Sequence, residues 1–153
     1  MIEDDIDRMM RVMACAFDPQ FGEAWTRRQV EDSLMLGQCH LELIDADGHA
    51  PLPGEAAAGF ALSRAGFEEE ELLLLAVDPD HRRKGLGEKL LSRLAVAAMS
   101  RGATRLLLEM RRGNPAEYLY SRFGFQPIGL RQDYYKLPSG GRLDAITFAF
   151  LFD

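Results

Sequence analysis

The sequence predicts an α/β domain built on a mixed β-sheet, and three stretches of the chain carry this prediction. Residues 72–77 form an uninterrupted apolar run that ends before Pro79, which is typical of a strand buried on both faces. From Gly85 onward the apolar residues fall at helical spacing. A second apolar run follows at residues 104–110, and the order strand, helix, strand predicts parallel pairing of the two strands.

Shorter patterns predict the remaining elements. Apolar residues from Ile6 to Phe17 indicate an amphipathic first helix, and Thr26 with Gln29 forms a capping box for a second helix that ends at Gly37. Alternating apolar residues and turn residues then predict strands at 39–43, 55–65 and 69–77 in an antiparallel meander, helices at 85–101 and 114–122, and strands at 125–130 and 143–152. Asn114 is the expected N-cap of the later helix.

Length and charge exclude several classes of protein. A chain of 153 residues is expected to form one domain, residues 1–153, with a single core. Its net charge of −6 argues against general nucleic-acid binding, which requires a basic surface. No stretch is long enough to span a bilayer, and the acidic residues 1–7 lack the apolar core of a signal peptide. We therefore expect a cytoplasmic protein that binds neither nucleic acid nor membrane.

The two cysteines do not predict a disulfide framework or a metal site. Cys15 and Cys39 are far apart in sequence, and His40, His49 and His81 form no ligand pattern with them. We therefore expect no metal. Cys15 is expected to be buried in the first helix, which argues against a covalent step at its thiol.

A basic loop joins the buried strand to the following helix, and it contains Arg82, Arg83, Lys84, Gly85, Leu86 and Gly87. The first N–H groups of a helix are unpaired, the helix dipole is positive there, and glycine lets an anion approach the backbone. The loop therefore favours phosphate binding, although three basic residues are also typical of a solvated loop. It matches neither a P-loop nor the three-glycine dinucleotide fingerprint.

The order Val77-x-Pro79-x-x-Arg82-x-x-Gly85-x-Gly87 resembles the acetyl-CoA signature of the GNAT acetyltransferase superfamily. This resemblance implies a mixed, mostly antiparallel sheet whose central parallel strands separate around acetyl-CoA, with helices on both faces. It implies that acetyl-CoA is a co-substrate and that no metal takes part. It also implies a cofactor-binding set in which the pantetheine arm meets Leu75, Ala76 and Val77, the pyrophosphate meets Arg82, Arg83, Lys84, Gly85, Leu86 and Gly87, and Asn114 contributes from the later strand–helix junction.

A second group of residues follows the second apolar run. Glu109 lies near the end of that run, and a carboxylate there is costly unless it is paired, hydrated or used in chemistry. Arg111, two residues on, would face the same side of a strand, so a structural ion pair between them is one interpretation. Tyr120 lies at helical spacing from Phe123 and is consistent with a core residue.

Together these residues resemble the bacterial ribosomal-protein N-terminal alanine acetyltransferases, a GNAT branch, from about residue 72 to the C-terminus. The matching residues are Leu108-Glu-Met-Arg111, Asn114, Leu119-Tyr120, Gly124-Phe125, Arg131-Gln-Asp-Tyr-Tyr135 and Asp144-Ala145. The chain is one residue shorter than the branch between Asn114 and Tyr120, and Asp133 replaces the usual asparagine. The resemblance implies direct acetyl transfer in a ternary complex to the N-terminal α-amine of a ribosomal protein. Glu109 would act as the base and Tyr120 as the acid.

Several alternatives stay open at this point. A small-molecule amine is a second candidate acceptor, and a non-catalytic acyl-CoA-binding module is a candidate of another class. Trp25 is either a core anchor or a wall of the acceptor site, because the first two helices border that site in the superfamily. The acidic residues 68–71 either form a solvated start to a strand or attract a cationic substrate. The sequence does not predict an oligomeric state.

Overall fold

The computed structural model describes residues 2–152, with side chains from residue 4 onward. Met1 and Asp153 lie outside the described residues. Both belong to the expected domain, and Met1 also belongs to the acidic segment 1–7. The described chain has four helices, α1 (Ile2–Ala16), α2 (Arg27–Met35), α3 (Leu86–Ser100) and α4 (Glu117–Phe123). It has six strands, β1 (Cys39–Ile44), β2 (Gly59–Ala65), β3 (Glu69–Val77), β4 (Arg105–Arg111), β5 (Gln126–Lys136) and β6 (Arg142–Leu151).

The six strands form one mixed sheet in the order β1-β2-β3-β4-β6-β5. Strands β3 and β4 are parallel, and the other neighbouring pairs are antiparallel. The predicted meander and the predicted parallel pair on either side of α3 are therefore confirmed. The apolar run of β3 lies near the middle of this sheet, as its uninterrupted sequence indicates.

Two apolar clusters cover opposite faces of the sheet. Helices α3 and α4 pack on one face, where Leu72 and Leu90 are buried. Helices α1 and α2 pack on the other face, where Met9 and Leu74 are buried. Side chains of β3 reach both clusters, which confirms a strand buried on both faces. A register shift beside Leu62 interrupts the β2–β3 pairing at this point.

The helix ends follow the local sequence closely. Thr26 accepts a hydrogen bond from the Gln29 backbone at 3.2 Å, and the Gln29 side chain accepts one from the Thr26 backbone at 2.8 Å. This confirms the capping box at the start of α2. Gly37 and Gly102 follow α2 and α3 with φ values of 79° and 93°, a backbone region that favours glycine after a helix.

Three predicted boundaries are wrong, each for a local reason. Strand β2 begins at Gly59 and not at residue 55, because Glu55 closes a turn by bonding the Leu52 backbone through both its N–H and its carboxylate. Helix α4 begins at Glu117, because the Asn114 side chain caps a preceding turn by accepting from Ala116 N–H at 2.9 Å. Strand β5 continues past residue 130, since its pairing with β6 resumes after an irregularity.

The acidic residues 68–71 are largely used in ion pairs. The Glu70 side chain is 0% exposed, and Arg101 at the end of α3 donates to it at 2.6 and 2.9 Å. Ser63 donates a further bond at 2.6 Å. Burial alone would raise the pKa of Glu70, but the bonds from Arg101 and Ser63 outweigh it and lower the pKa. The flanking carboxylates also pair, Glu71 with Arg64 at 2.6 Å and Glu69 with Arg105 at 3.1 Å.

Candidate active site

The two parallel strands separate at one end of their pairing. Strands β3 and β4 pair from residues 69 and 105 as far as Leu72 and Leu108, and their pairing stops there. Strand β3 nevertheless continues to Val77 along β2, and β4 continues to Arg111 along β6. We call the space between residues 73–77 and 109–111 the notch. Backbone groups of β3 that face the notch lack a partner strand and can bind a ligand.

The predicted pantetheine-binding residues Leu75, Ala76 and Val77 all lie on the notch side of this separation, beyond the last parallel pair. Leu75 and Val77 pack against the cluster under α3, and Ala76 against the cluster under α1. The Val77 carbonyl accepts a bond from Arg82 at 3.3 Å. The strand is therefore fixed by packing on both faces, while its edge toward β4 stays open.

The basic loop ends at the start of α3, and its backbone is shaped to receive an anion. Arg83 and Gly85 have φ values of 65° and 76°. Gly85 is the N-cap of α3, and within residues 2–152 no side chain caps this helix. The first-turn N–H groups, including those of Leu86 and Gly87, are therefore left for a ligand. Unpaired N–H groups at a helix start are suited to a phosphate group, so pyrophosphate binding by this loop stays a prediction.

The basic side chains of the loop have separate uses. Arg82 donates to the Ala16 carbonyl at 2.9 Å as well as to Val77, so it ties the loop to the end of α1. Lys84 lies 3.2 Å from His81 Nδ1. Gly87 lies against α4, because a Cβ at this position would come within 2.9 Å of the Leu119 side chain. The loop is thus held by α1, β3 and α4 together.

Glu109 lies on β4 beside the notch, with its side chain 19% exposed. The Thr147 hydroxyl on β6 donates to Glu109 Oε2 at 3.1 Å, and Arg131 Nε on β5 lies 3.3 Å from the same oxygen. The sequence-based interpretation that Arg111 is its ion-pair partner is wrong. Arg111 is nearly buried, lies 3.4 Å from the centroid of the Phe21 ring, and pairs with Glu23 at 3.3 Å.

Tyr120 lies on α4, on the sheet face opposite α1, and is 7% exposed. Its ring packs edge-on against Phe125, with centroids 5.7 Å apart. Burial raises the pKa of Tyr120 well above its usual value, and the negative charge of Glu23 raises it further. The phenol therefore stays protonated near neutral pH. Asn114, at the turn before α4, uses its side-chain oxygen for the bond to Ala116, so its amide nitrogen is the group that remains for a ligand.

The sequence alone predicts no role for Glu23 or Tyr135. Burial raises the pKa of Tyr135 to about 12, with Glu109 and then Glu23 adding to the effect, so the phenol lies near both carboxylates. Glu23 lies in the segment between α1 and α2, where no local pattern marks it. A buried arginine needs a counter-ion, but the sequence does not say which carboxylate supplies it.

A cavity of about 280 Å³ lies at the end of α1, next to Glu23. Its lining is mainly apolar: Met10, Met13, Ala14, Phe17, Asp18, Pro19, Gly22, Glu23, Ala24 and Trp25. Trp25 is half-buried and also packs against the cluster under α1, so it serves as a core anchor and a cavity wall together. The acceptor-side interpretation of Trp25 and its packing interpretation are thus compatible.

The expectation that Cys15 is buried is wrong, because the residue is exposed at the end of α1. Partial desolvation of its thiol, followed by the charge of Asp78, raises the pKa of Cys15. A raised pKa lowers the fraction of reactive thiolate. Within the described chain no three His, Cys, Asp or Glu side chains lie close enough together to hold a metal ion, and no helix is long and apolar enough to cross a membrane.

A sequence model of the acetyltransferase (GNAT) domain matches residues 40–127, more than half of the chain. This chain belongs to the GNAT acetyltransferase family. The matched region begins in β1, ends in β5, and includes the basic loop, Glu109 and Tyr120. The fold that the sequence predicts, a mixed sheet with one parallel pair, is the fold of GNAT proteins of known structure.

Three relatives give the extent of the similarity. The [ribosomal protein bS18]-alanine N-acetyltransferase of Haemophilus influenzae is 36% identical over 91 residues, 60% of this chain and 62% of the relative. A Bacillus subtilis relative is 31% identical over 134 residues, 86% of this chain and 82% of the relative. The crystal structure of the ribosomal-protein-S18-alanine N-acetyltransferase from Escherichia coli superposes with a TM-score of 0.76 at 28% identity, covering 95% of this chain and 86% of that one. This chain spans less than two thirds of the Haemophilus relative.

Proposed function

We propose that this GNAT protein is an acetyl-CoA-dependent N-acetyltransferase whose acceptor is the N-terminal α-amine of a protein, most specifically a ribosomal protein. The observation that carries the proposal is the notch, where β3 and β4 both continue after their pairing stops. Its edge leads to an uncapped helix start that suits a pyrophosphate. Two relatives named for acetylating ribosomal protein S18 support the choice of acceptor. Such an acceptor would place the reaction in the cytoplasm.

The chain's own groups would bind acetyl-CoA along this path. Backbone groups of Leu75, Ala76 and Val77 would bind the pantetheine arm, the backbone of residues 82–87 the pyrophosphate, and the amide nitrogen of Asn114 a further polar group. Acetyl-CoA supplies an acetyl group activated as a thioester. Fixed backbone N–H donors at the β3 edge suit a carbonyl oxygen that gains negative charge, because they need no rearrangement to stabilise it.

We propose that Glu109 takes a proton from the acceptor. An amine must be neutral to attack, and an α-amino group has a pKa of about 7.7–8.0, against roughly 10.4 for a lysine side chain. An N-terminal acceptor therefore needs only a modest base, and a carboxylate can take its proton directly or through one water. The Glu109 side chain, which is 19% exposed and lies beside the notch, fits this role.

We propose that Tyr120 stabilises the departing sulfur. Its raised pKa keeps the phenolic proton in place throughout the neutral range. A thiol has a pKa of about 8.5, well below that of this phenol, so a hydrogen bond to the thiolate is favoured over complete proton transfer. The α4 packing against Phe125 holds the ring in position for such a bond. We propose direct transfer between the two bound substrates.

The test is the release of CoA from acetyl-CoA with a panel of acceptors. The panel contains peptides with a free N-terminal alanine, serine or methionine, the same peptides N-blocked with an internal lysine, and several small amines. Release with the free-N-terminal peptides alone is the expected result. Release with small amines alone would transfer the proposal to a small-molecule acceptor. Tight acetyl-CoA binding without release for any acceptor would favour a non-catalytic acyl-CoA-binding module.

A further inference from the structure

The two carboxylate oxygens of Glu109 have different surroundings. Oε2 accepts a hydrogen bond from the Thr147 hydroxyl at 3.1 Å and lies 3.3 Å from Arg131 Nε. Within residues 2–152, Oε1 has no hydrogen-bond donor. One hydrogen bond and one ion pair on the same oxygen oppose rotation of the carboxylate, because turning it over would disrupt both contacts. Oε1 therefore remains able to accept a further hydrogen bond.

The strand register explains why these two side chains reach the same oxygen. Glu109 and Thr147 are directly opposite each other on β4 and β6, so their side chains share one sheet face. The next residue in this row, on β5, is Gly129, which has no side chain to fill the face. Arg131 lies two residues further along β5 and shares this face. Its guanidinium can therefore extend across the row to Glu109.

We propose that Thr147 is a positioning residue for the reaction, and that the ion pair between Arg131 and Glu109 assists it. Together they hold Glu109 Oε2 so that Oε1 faces the acceptor and takes the proton that its amine loses. This inference rests on the proposed acetyl transfer and adds to it the residues that orient the base. The side-chain geometry of a catalytic group affects the rate because a small misplacement lengthens the path of the proton.

The experiment compares Thr147→Val with Thr147→Ser in steady-state transfer to a peptide with a free N-terminal alanine. Valine keeps the shape of threonine but removes the hydroxyl, whereas serine keeps the hydroxyl. We expect Thr147→Val to lower kcat roughly ten-fold, the effect of losing one hydrogen bond to a charged group, with little change in KM for acetyl-CoA. Thr147→Ser should restore kcat to within about two-fold of the starting enzyme.

Matched controls separate positioning from a general loss of structure. Thr104→Val removes a hydroxyl that donates to the Glu68 carbonyl, far from the notch. Arg105→Gln removes an arginine that lies on β4, as Glu109 does, but pairs with Glu69 on β3. Both controls should keep kcat. Arg131→Gln should lower kcat in the same direction as Thr147→Val, and it tests the inference independently if the valine variant fails to fold.

Each result decides one question. Equal kcat values for Thr147→Val and the unmodified enzyme, or equal losses in the valine and serine variants, would overturn the positioning role while leaving the acetyltransferase proposal intact. An unmodified protein that transfers no acetyl group to any peptide would overturn the proposed function, and the inference with it. A loss in Thr147→Val that serine reverses, with both controls active, supports the inference.

Discussion

Replacing Arg101 by methionine should destabilise this protein more than any exposed ion-pair substitution. Arg101 donates two hydrogen bonds to Glu70, whose side chain is 0% exposed. After the substitution Glu70 keeps the bond from Ser63 but loses the guanidinium that neutralises its charge. Removing one partner of a buried pair costs about 3–5 kcal/mol, and we expect about 3 kcal/mol here because Ser63 remains. For a chain of this size that loss lowers the Tm by roughly 6–12 °C.

Urea unfolding at neutral pH, followed by circular dichroism, measures this loss. The matched control is Arg105→Met, whose pair with Glu69 is more than one third exposed on both sides and should be worth about 1 kcal/mol or less. The two variants should have similar m values, because both should expose the same amount of surface when they unfold. A cost for Arg101→Met no larger than that of Arg105→Met would refute the buried-pair argument.

The stability difference between the unmodified protein and Arg101→Met should depend on pH. The pKa of Glu70 is lowered in the folded protein, so its contribution is present above the unfolded value of about 4.3 and is lost as pH falls through the folded value. The difference in unfolding free energy between the two proteins should therefore shrink in acid. At temperatures where Arg101→Met stays folded, KM for the acceptor should be unchanged, because the buried Glu70 side chain cannot contact a substrate.

Three further predictions concern the proposed catalytic groups and a partly buried histidine. Glu109→Gln should lower kcat/KM roughly 10²–10⁴-fold in steady-state assays while calorimetry shows unchanged acetyl-CoA binding; full transfer at neutral pH would exclude Glu109 as the base. Tyr120→Phe should lower kcat. It should not change the pH–rate profile below about pH 9, because burial raises the pKa of this phenol and keeps it protonated there. An unchanged kcat would exclude Tyr120 as the group that stabilises the leaving thiolate. Burial, and then Arg101, lower the pKa of His40, so stability should fall as pH drops below about 6.5, and His40→Asn should remove that step in pH-dependent unfolding.

The elements that could be predicted from sequence are those with strong local patterns. Strand β3 was predicted with its observed bounds, because its apolar run is uninterrupted and ends before Pro79. The start of α2 was predicted from Thr26 and Gln29, whose capping bonds are made within four residues. The start of β2 was not predicted. The turn that precedes it depends on a hydrogen bond between Glu55 and Leu52, and residue preferences alone do not indicate this bond.

The surroundings of Glu109 could not be predicted, because they depend on pairing between strands that are distant in sequence. Thr147 is opposite Glu109 only in the observed β4–β6 register, and Arg131 reaches it from the far side of β6. The interpretation that Arg111 pairs with Glu109 is wrong, because its partner Glu23 comes from the segment between α1 and α2. The positions of Glu109 and Tyr120 were predicted, and their roles stay predictions.

The central claim is that the acetyl group goes to an α-amine, and one measurement tests it most directly. The protein is incubated with acetyl-CoA and a single peptide that carries both a free N-terminal alanine and an internal lysine, and tandem mass spectrometry locates the acetyl group. We predict one added acetyl group, on the N-terminal nitrogen. Acetylation of the lysine nitrogen, or no acetylated peptide while a small amine is acetylated in the same assay, would contradict the claim.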